Sequence, residues 1–495
     1  MVRIIVALCL AVVGAAVAGP RAVAQAIQLD GGGVGLALKA DARTPASPTV
    51  ESQAELTTTL RDLQASLQMS LQAGASGADQ TPSWFQLPFS PAPVSSWDSR
   101  RLGLTAAWTP YPRAKVELSA SEESRSAFSR ADPYAIGSAD HATRSRQDHA
   151  AAAIALDQLE PLHLQLGAEA ALEAVDDIDL TLPGAPVPTT LATGTRRAFA
   201  TLRWSPLPKL SLEGGGALDG VQVSWRGTGS NAASYGYLRP QLSGTYTPWT
   251  GGQWRVSVER AVSPPNPGAF ASFVQAIDRP AGALFEPDHE WRYQASLQQA
   301  FAGGGSVSAT FTRSVLQSVT ELGPAGLIQA PMSIGGGDRR QVDLALKAPL
   351  LLPLSGLPAL DVTGKVAWRT SQVTDPFTGE RRPASGEIPY EAEVGLDQSL
   401  NARLRWGVKG QVVGARRLYQ MSQVTTLSPT AGLGGYLAFT PGAFAIRLQA
   451  DNFIGGGGAT TDVFFVGSRA ADAIDRVNQS HNLDRSVTIS LSKPF

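Results

Sequence analysis

Residues 360–369 read LDVTGKVAWR, and apolar and polar residues alternate along this stretch. The apolar positions are Leu360, Val362, Val366 and Trp368, and the polar positions between them are Asp361, Thr363, Lys365 and Arg369. A period of two places successive side chains on opposite faces of a β-strand. The stretch therefore predicts a strand with one apolar and one charged face.

Neighbouring segments repeat this pattern. The apolar set continues with Tyr390, Ala392, Val394, Leu396, Leu404, Trp406, Val408, Val412, Phe444, Ile446 and Leu448, and the polar set with Glu391, Glu393, Asp397, Arg403, Arg405, Lys409, Gln411, Arg447, Gln449 and Asp451. Alternation fits both a soluble sandwich and a barrel. The segments run over about 9 to 13 residues, which matches a tilted membrane-crossing strand of about 9–11 residues and exceeds the usual 5–6 of soluble sheets. We therefore predict an all-β, transmembrane, antiparallel outer-membrane β-barrel.

Over the whole chain, the alternation pattern predicts about 20 strands, within a range of 18 to 22. They lie near residues 33–40, 51–60, 62–73, 101–109, 113–121, 148–157, 161–173, 194–205, 208–219, 235–247, 252–262, 289–301, 304–317, 338–348, 357–370, 388–400, 402–414, 431–440, 442–452 and 485–495. Residues 51–72 also fit a helix, because their leucines recur at helical spacing. We favour strands there, because residues 63–72 alternate without interruption.

The connections differ in length. Short turns are expected near residues 109–112, 205–208, 247–251, 301–304, 400–402 and 440–442, and long polar loops at 122–147, 263–288 and 452–484. An aromatic residue, Ser or Thr, and Pro recur at short turns, at 108–110, 204–206, 246–248 and 439–441. We expect these rings at the membrane interface, with the proline ending each strand. We also hypothesise that loops 263–288 and 452–484 fold into the barrel and narrow it.

Composition agrees with β-structure. The 495 residues include 50 Gly and 34 Pro, too many for long helices, and 43% are hydrophobic. Charged residues make up only 17%, the formal net charge is −1, and the mean hydropathy is −0.05. A disordered chain and a nucleic-acid partner are therefore not expected.

The first residues resemble a secretory signal. Arg3 precedes an apolar run over residues 4–18, and small residues follow before Ala24 and Ala26. A signal peptide over residues 1–24, cleaved after Ala24 or Ala26, fits better than a membrane anchor, because the run is shorter than the ~20 residues of a spanning helix. The single cysteine, Cys9, lies inside this signal, so no disulfide framework is expected. The predicted organisation is a signal peptide at 1–24, a short segment at 25–32 and the barrel at 33–495.

The last strand places Val487, Ile489, Leu491 and Phe495 on one face. Outer-membrane barrels commonly end in such a strand closed by Phe. These residues therefore resemble the signal that the barrel-assembly machinery reads.

Three segments resemble the TonB-dependent receptor family of outer-membrane transporters. Residues 284–293 (LFEPDHEWRY) are similar to the family's L-x-P-E-x-S-x-x-Y-E element, with Glu and Pro inverted, and residues 448–453 (LQADNF) are similar to its V-x-N-L-F/L strand end. The terminal residues 490–495 close the chain as in the family. A fourth, weaker resemblance links residues 31–38 (GGGVGLAL) to the strand leading from plug to barrel. The resemblance covers about residues 195–495.

This resemblance implies a 22-stranded barrel that imports scarce nutrients. The family also has a plug domain and a TonB box, but here only about six residues separate the predicted cleavage site from Gly31. We therefore expect the plug to be absent, which puts TonB-type energy coupling in doubt. No ligand residue of the family can be carried over.

The polar face is the candidate functional surface. We predict that it lines the lumen through Asp361, Lys365, Arg369, Glu391, Glu393, Arg403, Arg405, Lys409 and Arg447. The five histidines are scattered, and Glu173, Asp176, Asp177 and Asp179 are read as a solvated loop rather than a cation site. No nucleophile motif, phosphate-binding motif or cofactor motif is found, so we expect neither an enzyme nor a cofactor protein.

The expected function is transport or diffusion of solute across the outer membrane of a Gram-negative bacterium. The alternative is a structural or interaction barrel that displays its loops without transport. Expected partners are outer-membrane lipid and the barrel-assembly machinery, together with a separate plug or TonB-type coupling protein, which is doubtful.

Overall fold

The computed structural model of the chain describes most residues from 27 onward. The described ranges are 27–29, 34–43, 49–60, 63–77, 94–111, 114–129, 141–159, 161–179, 189–227, 229–263, 265–276, 285–301, 303–350, 358–442, 444–453, 457–481 and 485–492. The predicted signal peptide at 1–24 and the terminal Phe495 lie outside them.

The chain divides into two compact units. Unit 1 comprises Met1–Leu202 and Ala217–Leu238, and unit 2 comprises Arg203–Gly216 and Arg239–Phe495. Strands β9, β10 and β11 therefore contribute residues to both units.

The strands up to β11 begin the chain. They are β1 (Ile27–Leu29), β2 (Val34–Arg43), β3 (Thr49–Leu60), β4 (Leu63–Gly77), β5 (Val94–Tyr111), β6 (Ala114–Ser129), β7 (His141–Leu159), β8 (Leu162–Asp179), β9 (Thr189–Leu207), β10 (Leu210–Arg226) and β11 (Ser230–Tyr246).

The elements that follow belong to unit 2. They are β12 (Gly252–Val262), helix α1 (Pro267–Gln275), β13 (His289–Ala300), β14 (Ser306–Ala325), β15 (Ile328–Leu350), β16 (Leu360–Thr374), β17 (Arg381–Arg382), β18 (Tyr390–Ser399), β19 (Leu404–Val413), β20 (Arg416–Tyr419), β21 (Gln423–Leu427), β22 (Thr430–Phe439), β23 (Ala445–Asp451), β24 (Gly458–Phe465), β25 (Ala473–His481) and β26 (Ser486–Ser492).

Antiparallel neighbours dominate both units. Within the described ranges, 22 strands belong to one sheet, and β20, β21, β24 and β25 form a second sheet of four. In unit 1 the strands from β1 to β8 pair in chain order. In unit 2 the order from β12 to β16 continues through β18, β19, β22, β23 and β26. The antiparallel, strand-rich fold predicted from alternation is confirmed.

The strand count agrees with the sequence. Each predicted segment corresponds to one strand of the large sheet, and residues 51–72 form strands rather than a helix. The two additional strands are β1, of three residues, and β17, of two residues. β13 begins at His289, inside the segment 284–293 that resembles a family element.

The predicted strand ends and loops need correction. β6 continues to Ser129 and β7 starts at His141, so most of the predicted loop 122–147 is paired strand. Loop 263–288 contains α1, and loop 452–484 contains β24 and β25. Glu173, Asp176, Asp177 and Asp179 lie in β8 rather than in a loop. Alternation disappears where water reaches both faces of a strand, although pairing continues, so the pattern underestimates strand length.

The prediction that the turn prolines end their strands also needs correction. β5 and β9 run past Pro110 and Pro206 to Tyr111 and Leu207, so these prolines do not end their strands. Trp108, Trp204, Tyr246 and Phe439, which precede the turn residues, are all exposed large aromatics. We call the end of the sheet with short turns the turn edge, and the opposite end the loop edge.

One face of the unit 2 sheet exposes apolar side chains in register. Val256, Phe311 and Trp368 belong to one row across β12 to β16 and are 63%, 46% and 48% exposed. We call this the apolar face, and the opposite one, with Asp361 and Lys365, the polar face. Soluble monomers rarely expose contiguous apolar patches above a few hundred Å². The apolar face is therefore suited to contact lipid.

Helix α1 adds a small core outside the strands. Asn266 caps it by accepting a hydrogen bond from the Ala269 N–H at 3.0 Å. Phe270 and Phe273 pack on Phe285, with ring centroids 5.5 and 5.6 Å apart. No helix in the described ranges is long and apolar enough to cross a membrane.

An arginine placed in the apolar face tests the orientation of the two faces. Ala309 lies in register with Leu297 and Leu344 on this face, whereas the adjacent Thr310 lies opposite Asp343 on the polar face. We expect Ala309→Arg to lower the free energy of unfolding in lipid vesicles by about 2–4 kcal/mol, because a charge is poorly solvated in hydrocarbon. Denaturant titration followed by tryptophan fluorescence measures this. Thr310→Arg is the matched control, and equal losses in both variants would contradict the assignment of the faces.

Candidate functional site

Cross-strand register brings predicted charged residues of unit 2 together on the polar face. Asp361 is opposite Asp397, and Lys365 is opposite Glu393, across β16 and β18. Across β18 and β19, Lys409 is opposite Gly395. Directly opposed residues share one face of a sheet. The alternation seen along each segment therefore becomes one continuous charged surface.

Ion pairs on this surface run diagonally between strands. Lys409 Nζ lies 3.1 Å from Glu393 Oε2, and Arg405 Nε lies 2.6 Å from Asp397 Oδ1. Each acid is two residues from the position directly opposite its base, a spacing that long side chains bridge. The side chains of Lys409 and Arg405 are largely exposed, so these pairs orient charges more than they stabilise the fold.

Gly407 makes room for a tyrosine in this network. The Tyr436 hydroxyl donates a hydrogen bond to Asp397 Oδ2, and the Arg447 guanidinium lies 4.0 Å from the Tyr436 ring centroid. A Cβ placed on Gly407 would lie 2.5 Å from Tyr436 Cε1 and 3.1 Å from Asp397 Oδ2. The missing side chain thus lets the ring lie across β19 and join Asp397 to Arg447.

The strands enclose an open concavity of about 710 Å³ on this face. Among the predicted residues, it is lined by Asp361, Glu393, Arg405, Lys409 and Arg447. Lys347, Asp397, Tyr436, Gln449 and Asp451 also contribute to the lining. The lining carries both signs of charge and many hydrogen-bonding groups, so it can solvate a hydrophilic solute without covalent chemistry.

The other predicted residues lie beside the concavity. Arg369 Nη1 lies 3.4 Å from Glu391 Oε2, and this pair bridges β16 and β18. Lys365 is opposite Glu393 by register. Arg403 lies in the turn before β19 rather than in a strand as predicted, and its carbonyl accepts a hydrogen bond from the Thr440 N–H at 2.8 Å. None of these four side chains lines the described concavity.

Unit 1 carries its own polar cluster. Arg197 Nη1 lies 2.9 Å from Glu169 Oε1, and Arg197 Nε lies 3.3 Å from Asp219 Oδ1. Alternation places Arg197 on the face opposite Leu202 and Asp219 on the face opposite Leu218, and both leucines are exposed. The same separation of charged and apolar residues therefore recurs in this unit.

At its loop edge, the polar face of unit 2 is covered. The Ala384 N–H donates to the Ser371 hydroxyl at 2.9 Å, which holds the segment after β17 against β16. Leu316 and Val373 occupy polar-face positions by register but are buried with Val319 and Ala384. Access from the loop edge is thus restricted by chain segments that carry their own small core.

A buried ionic group fastens these segments. Arg382 bonds to Asp375 and, at 3.2 Å, to Glu321, while Arg469 Nη2 lies 2.6 Å from Asp375 Oδ2. All four side chains are buried, and the Arg382 guanidinium also lies 4.2 Å from the Tyr419 ring centroid. The group joins β14, the end of β16, β17, β20 and the loop after β24.

Electrostatics keep Asp375 ionised. Burial acts to raise the pKa of Asp375, but hydrogen bonds from Arg382, Arg469 and the N–H groups of Phe377 and Thr378 outweigh it and lower this pKa to about 2. Burial also acts to lower the pKa of Arg382, and its bonds to Asp375 and Glu321 reverse this and raise it. Asp375 and Arg382 therefore remain charged at neutral pH.

This ionic group was not predicted from the sequence. Glu321 lies beyond the predicted strand 304–317, Asp375 and Arg382 lie between the predicted strands 357–370 and 388–400, and Arg469 lies in the predicted loop 452–484. Charged residues in loops usually face water. Their partners are up to 94 residues apart, so no local spacing indicates the cluster.

The other predicted sites are placed as follows. Val487, Ile489 and Leu491 are exposed on β26, which pairs with β23, while Phe495 lies outside the described residues. Within the described part of the chain, no three His, Cys, Asp or Glu residues are grouped to hold a metal ion. The assembly signal stays a prediction.

Comparisons show the fold of the chain. No family model and no curated protein matches the sequence. Among solved structures, the ferric yersiniabactin uptake receptor FyuA from Yersinia pestis is similar, with TM-score 0.67, 14% identity, and 94% of this chain and 76% of that one covered. The ferric-catecholate import receptor Fiu from K12 E. coli gives TM-score 0.67, 9% identity, and coverage of 94% and 79%. The copper transporter OprC gives TM-score 0.64, 12% identity, and coverage of 92% and 77%.

At this level of identity the likeness concerns the fold alone. FyuA and Fiu are TonB-dependent receptors, and the chain has the strand-rich fold of their outer-membrane barrels. The large antiparallel sheet expected from the family resemblance is therefore confirmed. The expected absence of a plug concerns the residues before β2, most of which lie outside the described ranges, and stays a prediction.

Neutralising Asp375 tests the buried ionic group. We expect Asp375→Asn to reduce local stability by about 3–5 kcal/mol, because Arg382 and Arg469 lose a buried counter-charge. Hydrogen exchange of the amides at 376–387 and 466–472 measures this. The matched control Asp472→Asn removes an exposed carboxylate of the loop that contains Arg469 and should leave exchange unchanged.

The same group predicts a response to acid. Because folding lowers the pKa of Asp375, its contribution is complete above the ordinary pKa near 4 and is lost as the pH falls towards about 2. Protection in the parent protein should therefore fall over this range, with a smaller fall in Asp375→Asn. Identical pH profiles for the two proteins would contradict this role.

A methyl group at Gly407 tests the packing of Tyr436. We expect Gly407→Ala to destabilise the protein by about 1–3 kcal/mol, because the ring has to move away from Asp397. Gly410→Ala on the same strand is the control, because its Cβ would meet Leu433 at an ordinary 3.5 Å. In a Tyr436→Ala background, Gly407→Ala should cost little. If denaturant unfolding shows the same loss of stability in the Tyr436→Ala background, the strain does not come from contact with Tyr436.

Proposed function

We propose that this chain is an exported outer-membrane β-barrel that lets a hydrophilic solute cross the outer membrane of a Gram-negative bacterium. The observation that carries the proposal is the two-faced sheet of unit 2, with exposed apolar residues on one face and a charged concavity on the other. A barrel in lipid needs its apolar residues outside and its polar residues towards water. The fold of uptake receptors and a copper transporter supports the same reading.

The proposed maturation follows from the sequence. The signal peptide at 1–24 is removed, residues 25–32 form a short leading segment, and the barrel comprises 33–495. Of the leading segment, Ile27–Leu29 pairs with β2. Lipid surrounds the apolar face, and the barrel-assembly machinery reads Val487, Ile489, Leu491 and Phe495.

The proposed solute path follows the polar face. Asp361, Lys365, Arg369, Glu391, Glu393, Arg403, Arg405, Lys409 and Arg447 line or flank it. Because bases and acids alternate across the strands, the path favours hydrophilic solutes that exchange hydrogen bonds with water and protein. Transport of this kind needs neither a catalytic residue nor a cofactor.

A second candidate is a structural or interaction barrel that displays its loops. The observation that favours it is the covered loop edge, where the buried ionic group holds the segment after β17 against β16. A fixed cover would present loops to a partner and block passage. Binding that is lost on deletion of a loop, with unchanged permeability, would support this function.

Conductance of the refolded mature chain in a planar bilayer separates the two functions. Steady openings would support a diffusion path through the chain alone. Silence from correctly folded protein would contradict such a path, and would favour the structural barrel or a lumen closed by a separate plug. A TonB-type protein would then be tested as the partner that opens it.

Charge removal in the concavity predicts a change of ion selectivity. In Arg405→Gln/Lys409→Gln, Asp397 and Glu393 lose their bases. We expect the reversal potential in a KCl gradient to shift towards cation preference, because the lumen then carries excess negative charge. Arg405→Lys/Lys409→Arg keeps both charges and should match the parent. An unchanged selectivity in Arg405→Gln/Lys409→Gln would place the conducting path elsewhere.

A further inference from the structure

Two arginines face each other on the apolar face of unit 2, near its loop edge. Arg313 on β14 and Arg340 on β15 are directly opposed. Alternation places Arg313 on the same side as Phe311 and Val307, which are exposed, and Arg340 on the same side as Leu344 and Leu346. Like charges in such a position repel each other and require compensation.

One carboxylate compensates both arginines. Asp338 Oδ1 accepts from Arg313 Nε at 3.0 Å, and Asp338 Oδ2 accepts from Arg340 Nε at 2.9 Å. Both bonds use Nε, so the Nη groups of the two guanidinium groups remain available. The arginine side chains are 51% and 61% exposed, against 31% for Asp338. The cluster therefore has a net charge of about +1 and free donors on its outer side.

Strand geometry places this cluster at one edge of the apolar band. Between Leu350, near the turn edge, and Arg340, the apolar-face positions of β15 are Ala348, Leu346, Leu344 and Val342. At about 3.3 Å per residue and a tilt of about 40°, the span from Leu350 to Arg340 is about 25 Å. This equals the usual height of the apolar band of an outer-membrane barrel. The arginines thus lie at headgroup level, on the side with the long loops.

Unit 1 also carries arginines in line with exposed leucines on its own strands. Arg100 precedes the exposed Leu102 and Leu104 in the alternation of β5, and Arg196 precedes Leu202 on β9, with two alanines at the positions between them. Both arginines are exposed and lie towards the loop edge of their strands. Guanidinium groups on the apolar face are therefore a repeated feature of this edge.

We propose that Arg313 and Arg340 bind the phosphate group of a lipid in the outer leaflet of the membrane. The proposal rests on the outer-membrane location given above. Guanidinium groups bind phosphate oxygens through paired N–H donors, and a phosphate supplies the negative charge that Asp338 alone does not. The acyl chains then lie along Phe311, Val342 and Leu344. A second protein chain would have to bury both arginines, whereas a lipid headgroup leaves them partly in water.

Native mass spectrometry of the detergent-solubilised full chain tests this with a matched lipid pair. Dioleoyl phosphatidic acid and dioleoylglycerol share their chains and differ in the phosphate. We expect phosphatidic acid to bind about tenfold more tightly or better, in keeping with charge-assisted hydrogen bonds. Arg313→Gln/Arg340→Gln should lose this preference. Arg416→Gln/Arg417→Gln, which removes two exposed arginines of β20, should keep it.

Asp338→Asn acts in the opposite direction. It removes the negative charge that both guanidinium groups share and should raise phosphatidic acid binding, a gain that misfolding cannot produce. Equal binding of the two lipids, or an unchanged preference in Arg313→Gln/Arg340→Gln, would overturn the proposal. Displacement of the lipid by inorganic phosphate at equal concentration would assign the site to free phosphate. A dimer that is lost in the double variant would assign it to a second copy of the chain.

Membrane insertion distinguishes this proposal from the location on which it rests. Flotation of the refolded chain with phosphatidylcholine vesicles measures insertion without an anionic lipid. A chain that fails to float overturns the outer-membrane location. A chain that floats but shows no phosphate preference overturns the lipid site alone.

Discussion

In-register antiparallel pairing is the constraint on which the rest of the structure depends. Each strand satisfies its backbone groups through its neighbours, so a sheet can present side chains to lipid without unpaired polar atoms. The pairing of β15, β16 and β18 keeps Asp361 and Lys365 on one face and Trp368 on the other. A slip of one residue would turn every charge of a strand towards the apolar side. Hydrophobic patterning therefore fixes the register and the position of the charged surface together.

The charged surface in turn depends on small residues at particular positions. Between β18 and β19, large charged side chains are not directly opposed, because Gly395 lies opposite Lys409 and Gly407 lies opposite Asp397. The bases reach acids diagonally, and the space above Gly407 admits the Tyr436 ring. The glycines thus leave the space that makes the charged surface concave and open to water.

Local pattern is sufficient for most of the fold and for part of the site. Alternation identified every strand of the large sheet except the short β1 and β17, and it put Glu393, Arg405 and Lys409 on one face, because a period of two needs no knowledge of distant residues. It underestimated β6 and β7, where both faces meet water and the chemical contrast vanishes. The ionic group of Glu321, Asp375, Arg382 and Arg469 was missed for a different reason. Its members come from separate connections and acquire their environment only when these meet, so nothing in their own segments distinguishes them from solvated charges.

Arginines of unit 2 lie in three environments. A guanidinium group with less access to water has more partners in the protein. Arg405 on the hydrated polar face has one acid partner, Asp397. Arg382, withdrawn from water, has Asp375 and Glu321 and the ring of Tyr419. Arg313 lies between these cases, at the edge of an apolar band, and shares Asp338 with Arg340. Arg313 and Arg340 share a single carboxylate, so an anion from outside the chain would balance the remaining positive charge where lipid displaces water. The headgroup layer of a membrane is where such an anion is available.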